Sequence, residues 1–252
     1  DGHSVTIYHD AAKTSKAIHE AVEAAQSQVH LEYYIFQPDQ TGQAMADHLI
    51  EKSQAGVKCR LLLDYIGSWR LGRLVRRRRA GGVQVAFSQS AMPWRGRGGI
   101  GFRNHRKLAI MDGKVAFTGS QNIGNEYSGR WGDQEPWRDT HLKIIGPAVQ
   151  QLQEVFMQDW HLATSEDLTG EDCFPPVRSA GSQIVQIVPT GPDYYDRVMH
   201  QLLFAAVSTA RESISIITPY FVPDTAMTLA FQSACYRGLL LRLIIPTRTD
   251  HS

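Results

Sequence analysis

Residues Asn104 to Asp112 read Asn-His-Arg-Lys-Leu-Ala-Ile-Met-Asp, and seven positions after Asp112 comes Gly119-Ser120-Gln121-Asn122. Together they form H-x-K-x-x-x-x-D followed by G-S-x-N. Leu108 to Met111 is a short apolar run that predicts a buried strand. Asp112-Gly113 is a hairpin turn signal, and Val115 to Thr118 is the returning strand. Alternate side chains of a strand share a face. His105 and Lys107 therefore point one way, and Leu108 and Ile110 point the other, towards a core. A nucleophilic imidazole and a cation held side by side on a rigid strand suit attack on a phosphate ester. Asp112 has the opposite parity and sits at the turn, so it reads as a structural acid more than a chemical one.

The spacing resembles the signature of the phospholipase D superfamily, H-x-K-x-x-x-x-D with a trailing G-S-x-N. Within that superfamily three further stretches are similar to bacterial cardiolipin synthases. They are His30-Leu31-Glu32-Tyr33-Tyr34-Ile35-Phe36, Trp137-Arg138-Asp139-Thr140-His141-Leu142 and Gly146-Pro147-Ala148-Val149. The resemblance runs over nearly the whole chain. It implies a layered α/β fold with a mixed sheet flanked by helices, built as two similar lobes around one site.

What the resemblance implies for chemistry is a covalent phosphohistidine. One motif His attacks the phosphodiester, a partner His protonates the leaving alcohol, and a second alcohol or water releases the intermediate. Lys107 and Asn122 fit the stabilisation of charge on the phosphoryl oxygens without a metal. Ser120 and Asn122 add donors where the chain is expected to open a helix, whose first N–H groups suit phosphate; a bare N-cap at Ser120 is the competing reading. A nucleophilic His needs its other ring nitrogen held by an acceptor. Asp139 is the expected orienting acid, with Glu126 and Glu135 as rivals.

The elements that must position these groups follow from periodicity. Val5 to Tyr8 predicts a strand, Ala11 to Ser27 a helix, and Val29 to Phe36 a strand. A helix capped by Thr41 runs to about Ala55, and Lys58 to Asp64 is a strand. Leu71 to Ala80 predicts a helix and Val83 to Phe87 a strand. His141 to Ile145 predicts a strand and Pro147 to Trp160 an amphipathic helix. Strand and helix alternate, as in α/β layers.

Ser, Gly and Pro punctuate residues 163–183, which read as a linker between a first lobe at 1–162 and a partial second lobe at 184–252. In that second lobe Ile184 to Val188, Ser213 to Tyr220 and Leu239 to Ile245 predict strands, and Tyr194 to Ala210 and Thr225 to Tyr236 predict helices. The order echoes residues 5–64. Ile35-Phe36-Gln37-Pro38-Asp39 is answered by Tyr220-Phe221-Val222-Pro223-Asp224, which marks an internal repeat. A second H-x-K motif would fall beyond Ser252, so the second lobe reads as incomplete and the missing part as a partner of this half. A homodimer is the other way to complete the site.

The 252 residues carry a net charge of +1 that hides an asymmetry. Between Tyr65 and Met111 there is no Asp or Glu, against ten Arg and Lys107. The densest part is Arg76-Arg77-Arg78-Arg79, which reads either as a solvated helix face or as a surface for anions. Trp94, Arg95 and Arg97 lie in a Gly-rich loop suited to a membrane interface, or to packing beside the site. These residues are the expected contact with an anionic phospholipid, phosphatidylglycerol in the implied reaction.

No apolar run reaches the length of a membrane span. The resemblance places the chain at the cytoplasmic face of a bacterial inner membrane, and membrane helices ahead of Asp1 are compatible with it. Cys59, Cys173 and Cys235 lack metal-ligand spacing, so no metal and no cofactor is expected. Cys59 and Cys235 sit in apolar contexts that predict burial.

The function expected from motif and resemblance together is phosphatidyl transfer, two phosphatidylglycerols giving cardiolipin and glycerol. The alternatives are a phosphodiesterase, such as a nuclease or a hydrolytic phospholipase D, and a non-catalytic anion-binding fragment.

Overall fold

The computed structural model describes residues 1–68, 71, 81–88, 104–128, 139–170, 172–191 and 198–247. The chain divides into two compact units, Asp1–Pro192 and Asp193–Ser252.

The first unit is built on a seven-stranded mixed sheet. Its strands are β1 (Ser4–Tyr8), β2 (Gln28–Tyr33), β3 (Lys58–Asp64), β4 (Gln84–Ser88), β5 (Lys107–Met111), β6 (Val115–Gly119) and β7 (His141–Ile145), in the order β1-β7-β6-β5-β2-β3-β4. β2, β3 and β4 run parallel, joined by crossovers, and β5, β6 and β7 return antiparallel. β2 and β5 are therefore neighbours although far apart in sequence, with Tyr33 opposite Lys107.

The sheet is buried on both faces, as the near-continuous apolar runs of β3 and β5 require. On one face α1 (Ala11–Ala24) and α2 (Gln40–Gln54) bring Ile18, Val22, Met45 and Leu49 onto Val29, Leu31, Leu61, Ala109 and Phe117. On the other, α4 (Ala148–Thr164) lays Val149, Leu152, Phe156 and Trp160 over Leu62, Leu108, Ile110 and Ile144. Each fully buried Leu among them contributes about 1.5–3 kcal/mol. The short helix α3 (Asn125–Ser128) lies between β6 and β7 in sequence.

Several boundaries differ from expectation, each for a physical reason. α1 stops at Ala24 because the amides of Gln26, Ser27 and Gln28 turn to Asp112. α2 is capped by Asp39, whose Oδ1 accepts from Gly42 N at 3.0 Å, and not by Thr41. The Thr41 hydroxyl goes instead to Asn125 Oδ1 and Ser128 Oγ. Gly42 is required there, since a Cβ would stand 1.8 Å from Gln37 O. The helix expected at Leu71 to Ala80 and the Gly-rich loop at 92–101 fall outside the described residues, apart from Leu71.

Residues 163–183 do not behave as a free linker. Ala163 and Thr164 end α4, and Leu168 and Cys173 are buried in the same apolar layer. Ile184 to Val188 does not form a strand. Just ahead of it Gln183 makes a single bridge with His3, and among the described residues the segment has no ladder partner; Val185 and Ile187 pack against the α4 layer instead.

The second unit contains α5 (Val198–Thr209), β8 (Ser213–Ile217), α6 (Thr225–Tyr236) and β9 (Leu240–Ile244). β8 and β9 pair in parallel across α6, as β2 and β3 pair across α2. Asp224 caps α6 through Met227 N at 2.9 Å, as Asp39 caps α2. Cys59 is buried as expected, whereas Cys235 is exposed on α6. Among the described residues no helix is long and apolar enough to cross a membrane.

Candidate active site

The start of β5 meets the ends of β2 and β3 at one edge of the sheet, and there the motif side chains gather. Lys107 is buried, with Nζ 3.0 Å from His105 Nδ1, 3.2 Å from His105 Nε2 and 2.8 Å from the His105 carbonyl. The Tyr34 ring lies 4.5 Å from the imidazole, tilted by 48°, and Lys107 Nζ is 5.1 Å from its centre. Tyr34 thus walls one side of the pair. Burial pulls the Lys107 ammonium down to about 8, although Asp139 and Asp64 favour its charge. Burial also lowers the His105 imidazole, and the adjacent ammonium lowers it further, against a smaller opposing pull from Asp64. At neutral pH the site therefore offers a neutral imidazole beside a cation.

Asp112 lies at the far end of β5. Its Oδ1 accepts from Ser27 N, Ser27 Oγ and Gln28 N at 2.8–2.9 Å, and its Oδ2 accepts from Gln26 N at 2.9 Å. Burial raises this carboxyl, but those hydrogen bonds outweigh it and hold the group below the usual carboxylate range. Asp112 also takes φ +53°, so it shapes the β5–β6 turn while stapling it to the entry of β2.

Gly119 to Asn122 do not open a helix. They run as a loop, and the helix that follows is only the four residues of α3. Ser120 Oγ donates to Thr140 O at 3.2 Å and accepts from Thr140 N at 3.0 Å, tying the end of β6 to the start of β7. Asn122 is buried, and its Oδ1 accepts from Ile35 N at 3.2 Å. Gly119 is required by close approach, since a Cβ would lie 2.4 Å from Thr140 O and 2.7 Å from His141 Nδ1.

Asp139 sits beside Lys107 and Ser120 and shows no hydrogen bond to His105. Lys107 Nζ occupies the ring edge where an orienting acid was expected. Burial raises the Asp139 carboxyl, with Ser120 and Lys107 opposing, and its Oδ2 has no partner among the described residues. Of its rivals, Glu126 neighbours Tyr127 and Glu135 is outside the described residues. Arg76, Arg77, Arg78, Arg79, Trp94, Arg95 and Arg97 are outside them too.

Sequence reasoning missed four groups here. Asp64 is fully buried at the end of β3 and accepts from Asn104 N, Ile66 N and Gly67 N. Asn104 and Arg106, on either side of His105, reach to Glu32 and Asp159 on the opposite face. The one available signal was His30 and Glu32, polar residues flanked by apolar ones within a strand that is buried throughout. His141 is wholly buried with both ring nitrogens unpartnered among the described residues, and burial next to Lys107 brings it down to about 4.

Comparison with known proteins gives the family and the fold. The sequence model of the cardiolipin synthase PLD-like domain matches residues 18–160. A cardiolipin synthase of Geobacillus thermodenitrificans is 43% identical over 242 residues, covering 94% of this chain and 48% of the relative. One from Geobacillus kaustophilus is 41% identical with the same coverage. The chain therefore spans about half the length of the curated relatives it matches. The crystal structure of a phosphatidylserine synthase from Haemophilus influenzae Rd KW20 superposes with a TM-score of 0.74 at 14% identity, over 96% of this chain and 61% of that one, which establishes a shared fold.

Proposed function

This chain belongs to the cardiolipin synthase family of PLD-like domains, and from that membership we propose that it supplies the His105 half of a phosphatidyltransferase joining two phosphatidylglycerols into cardiolipin and glycerol. His105 attacks the phosphorus of one lipid, the P–O bond to the head-group glycerol breaks, and a phosphatidyl-histidine forms. The leaving glycerol takes up a proton. The glycerol hydroxyl of a second lipid then attacks, gives up its proton, and displaces His105 as cardiolipin forms. Splitting one displacement into two is the gain from the covalent step.

The observation that carries this reading is the contact between Lys107 Nζ and the His105 ring at 3.0–3.2 Å. An ammonium there stabilises charge on a phosphoryl group bonded to that ring. Burial first, and then that ammonium, favour the unprotonated imidazole, which suits the nucleophile's role better than the acid's. The acid for the leaving glycerol is then a second imidazole, from a further segment of the protein or from a second copy. Ser120 and Asn122 act mainly through the loop they hold, and Asp139 through Lys107.

Phosphatidylglycerol and the membrane surface enter as partners of the same proposal, supported by the acid-free basic stretch from Tyr65 to Met111. The test is cardiolipin formation on phosphatidylglycerol vesicles by the full-length protein, wild type against His105→Ala. Loss of product in the variant supports the reading, and activity within tenfold of wild type overturns it.

A further inference from the structure

Behind the segment that leads His105 into β5, on the face covered by α4, lies a polar cluster that the proposed chemistry does not use. Glu32 on β2 is 1% exposed and Asp159 on α4 is 8% exposed. Asn104 Nδ2 donates to Glu32 Oε1 at 2.6 Å and stands 3.3 Å from Asp159 Oδ2. Asn104 Oδ1 accepts from Arg106 N at 3.1 Å. The Arg106 guanidinium pairs with Asp159 and donates a second N–H to Thr190 O at 3.0 Å. Asn104 N donates to Asp64 Oδ2 at 3.2 Å. The residues before and after His105 are thus gripped from β2, β3, α4 and the segment at 190.

The charges in this cluster are unequal. Two carboxylates, Glu32 and Asp159, face one guanidinium away from water. Asp64 nearby is occupied by backbone amides and Ser88. Further along the same face, Arg60 is taken by Glu166 and by His30 Nε2. No other cation faces Glu32 among the described residues. Two ionised carboxylates in so small a buried space repel each other, and a single shared proton removes the conflict. Glu32 Oε2 meets no donor among the described residues, so it is free to carry one.

We propose that Glu32 and Asp159 share one proton at neutral pH, and that this neutral cluster with Asn104 and Arg106 is the clamp that positions His105. Burial, the charge of Asp159 and a hydrogen bond with it all push the Glu32 carboxyl upward, against weaker pulls from Arg106 and Asn104. A protonated Glu32 accepts from Asn104 through one oxygen and donates to Asp159 through the other. Glutamine reproduces both bonds and alanine neither. The inference rests on the proposed function only for what His105 does; the proton and the clamp are read without substrate.

The test uses this chain and three variants. Isotope-edited infrared spectra at neutral pH should show a protonated-carboxyl carbonyl band that disappears in Glu32→Gln. The band should also disappear in Asp159→Asn, where Glu32 ionises against Arg106. The 15N signals of the His105 ring should match wild type in Glu32→Gln and be broadened or split in Glu32→Ala. In the full-length protein Glu32→Ala should lower kcat on the order of 10²-fold with little change in KM, the scale of a misplaced reacting group. A wild-type spectrum without that band, or one that keeps it in Asp159→Asn, overturns the shared proton. A Glu32→Gln variant that disturbs His105 overturns the clamp, and this variant serves even where Glu32→Ala does not fold. An intact band and intact His105 signals in a protein that forms no phosphatidyl-histidine would overturn the proposed function and leave the clamp standing.

Discussion

Lys107 Nζ stands 3.0 Å from Nδ1 and 3.2 Å from Nε2 of His105, nearly equidistant from both nitrogens. β5 begins only at Lys107, so His105 lies just ahead of the strand and not on it as the motif spacing implied; it still stands on the Lys107 side, and burial then does the rest. It lowers both pKa values, so a neutral nucleophile and a cation coexist at contact distance.

Removing the cation should therefore cost more than binding. Lys107→Ala in the full-length protein is expected to lower kcat by at least about 10²-fold, the scale of losing one donor to developing charge. Lys107→Arg should not restore it, because a planar fork cannot take the buried place beside the imidazole and Tyr34 as a compact ammonium does. Steady-state kinetics on phosphatidylglycerol vesicles check both.

The lowered Lys107 value fixes the sign of a pH effect. The ammonium is lost in the free protein as pH rises through about 8, so kcat/KM should fall above that pH. Stability should move the other way. Between about 8 and the ordinary 10.5 the unfolded chain holds a proton that the folded one does not, so unfolding becomes less favourable as pH rises. Lys107→Met should flatten this rise in stability in denaturant titrations at several pH values.

Asp112 should prove structural. Asp112→Ala deletes an acceptor of four hydrogen bonds and is expected to destabilise the fold by about 2–3 kcal/mol. Asp112→Asn sets an amide N–H against Gln26 N and should recover only part of that. Because the folded carboxyl is held below its ordinary value, its stabilisation is present above the unfolded value and is lost as pH falls through the folded one. Chemical denaturation at neutral and acid pH measures all three effects.

Gly119→Ala should destabilise by about 1–3 kcal/mol, because the new Cβ must displace backbone at Thr140 and the buried His141 ring. Thermal unfolding reads the cost. The Lys107 signals should shift as well, since His141 lies close enough to feel its charge.

Much of this was legible in the residues. Lys58–Asp64 and His141–Ile145 form the strands their composition implies, and Thr225–Tyr236 the helix. The parity of His105 and Lys107 and the turn role of Asp112 follow from a two-residue period and a hairpin signal. What could not be read depends on contacts distant in sequence. The end of α1 is set by Asp112, more than eighty residues away. Ser120 looked like a cap because local spacing cannot show that Thr140 will claim its hydroxyl. Ile184 to Val188 has strand composition, yet its apolar side chains Val185 and Ile187 are taken by the layer under α4, a contact distant in sequence. The clamp behind His105 joins β2, β3, β5 and α4, and only the sheet order brings them together.

The most direct test of the account is capture of the covalent intermediate. Full-length protein mixed with phosphatidylglycerol vesicles is quenched under alkaline conditions, where phosphohistidine survives, then digested and mapped by mass spectrometry. The account predicts a phosphatidyl adduct on the peptide bearing His105, absent from His105→Ala and discharged by adding acceptor lipid. An active enzyme whose only adduct lies on another histidine would contradict it.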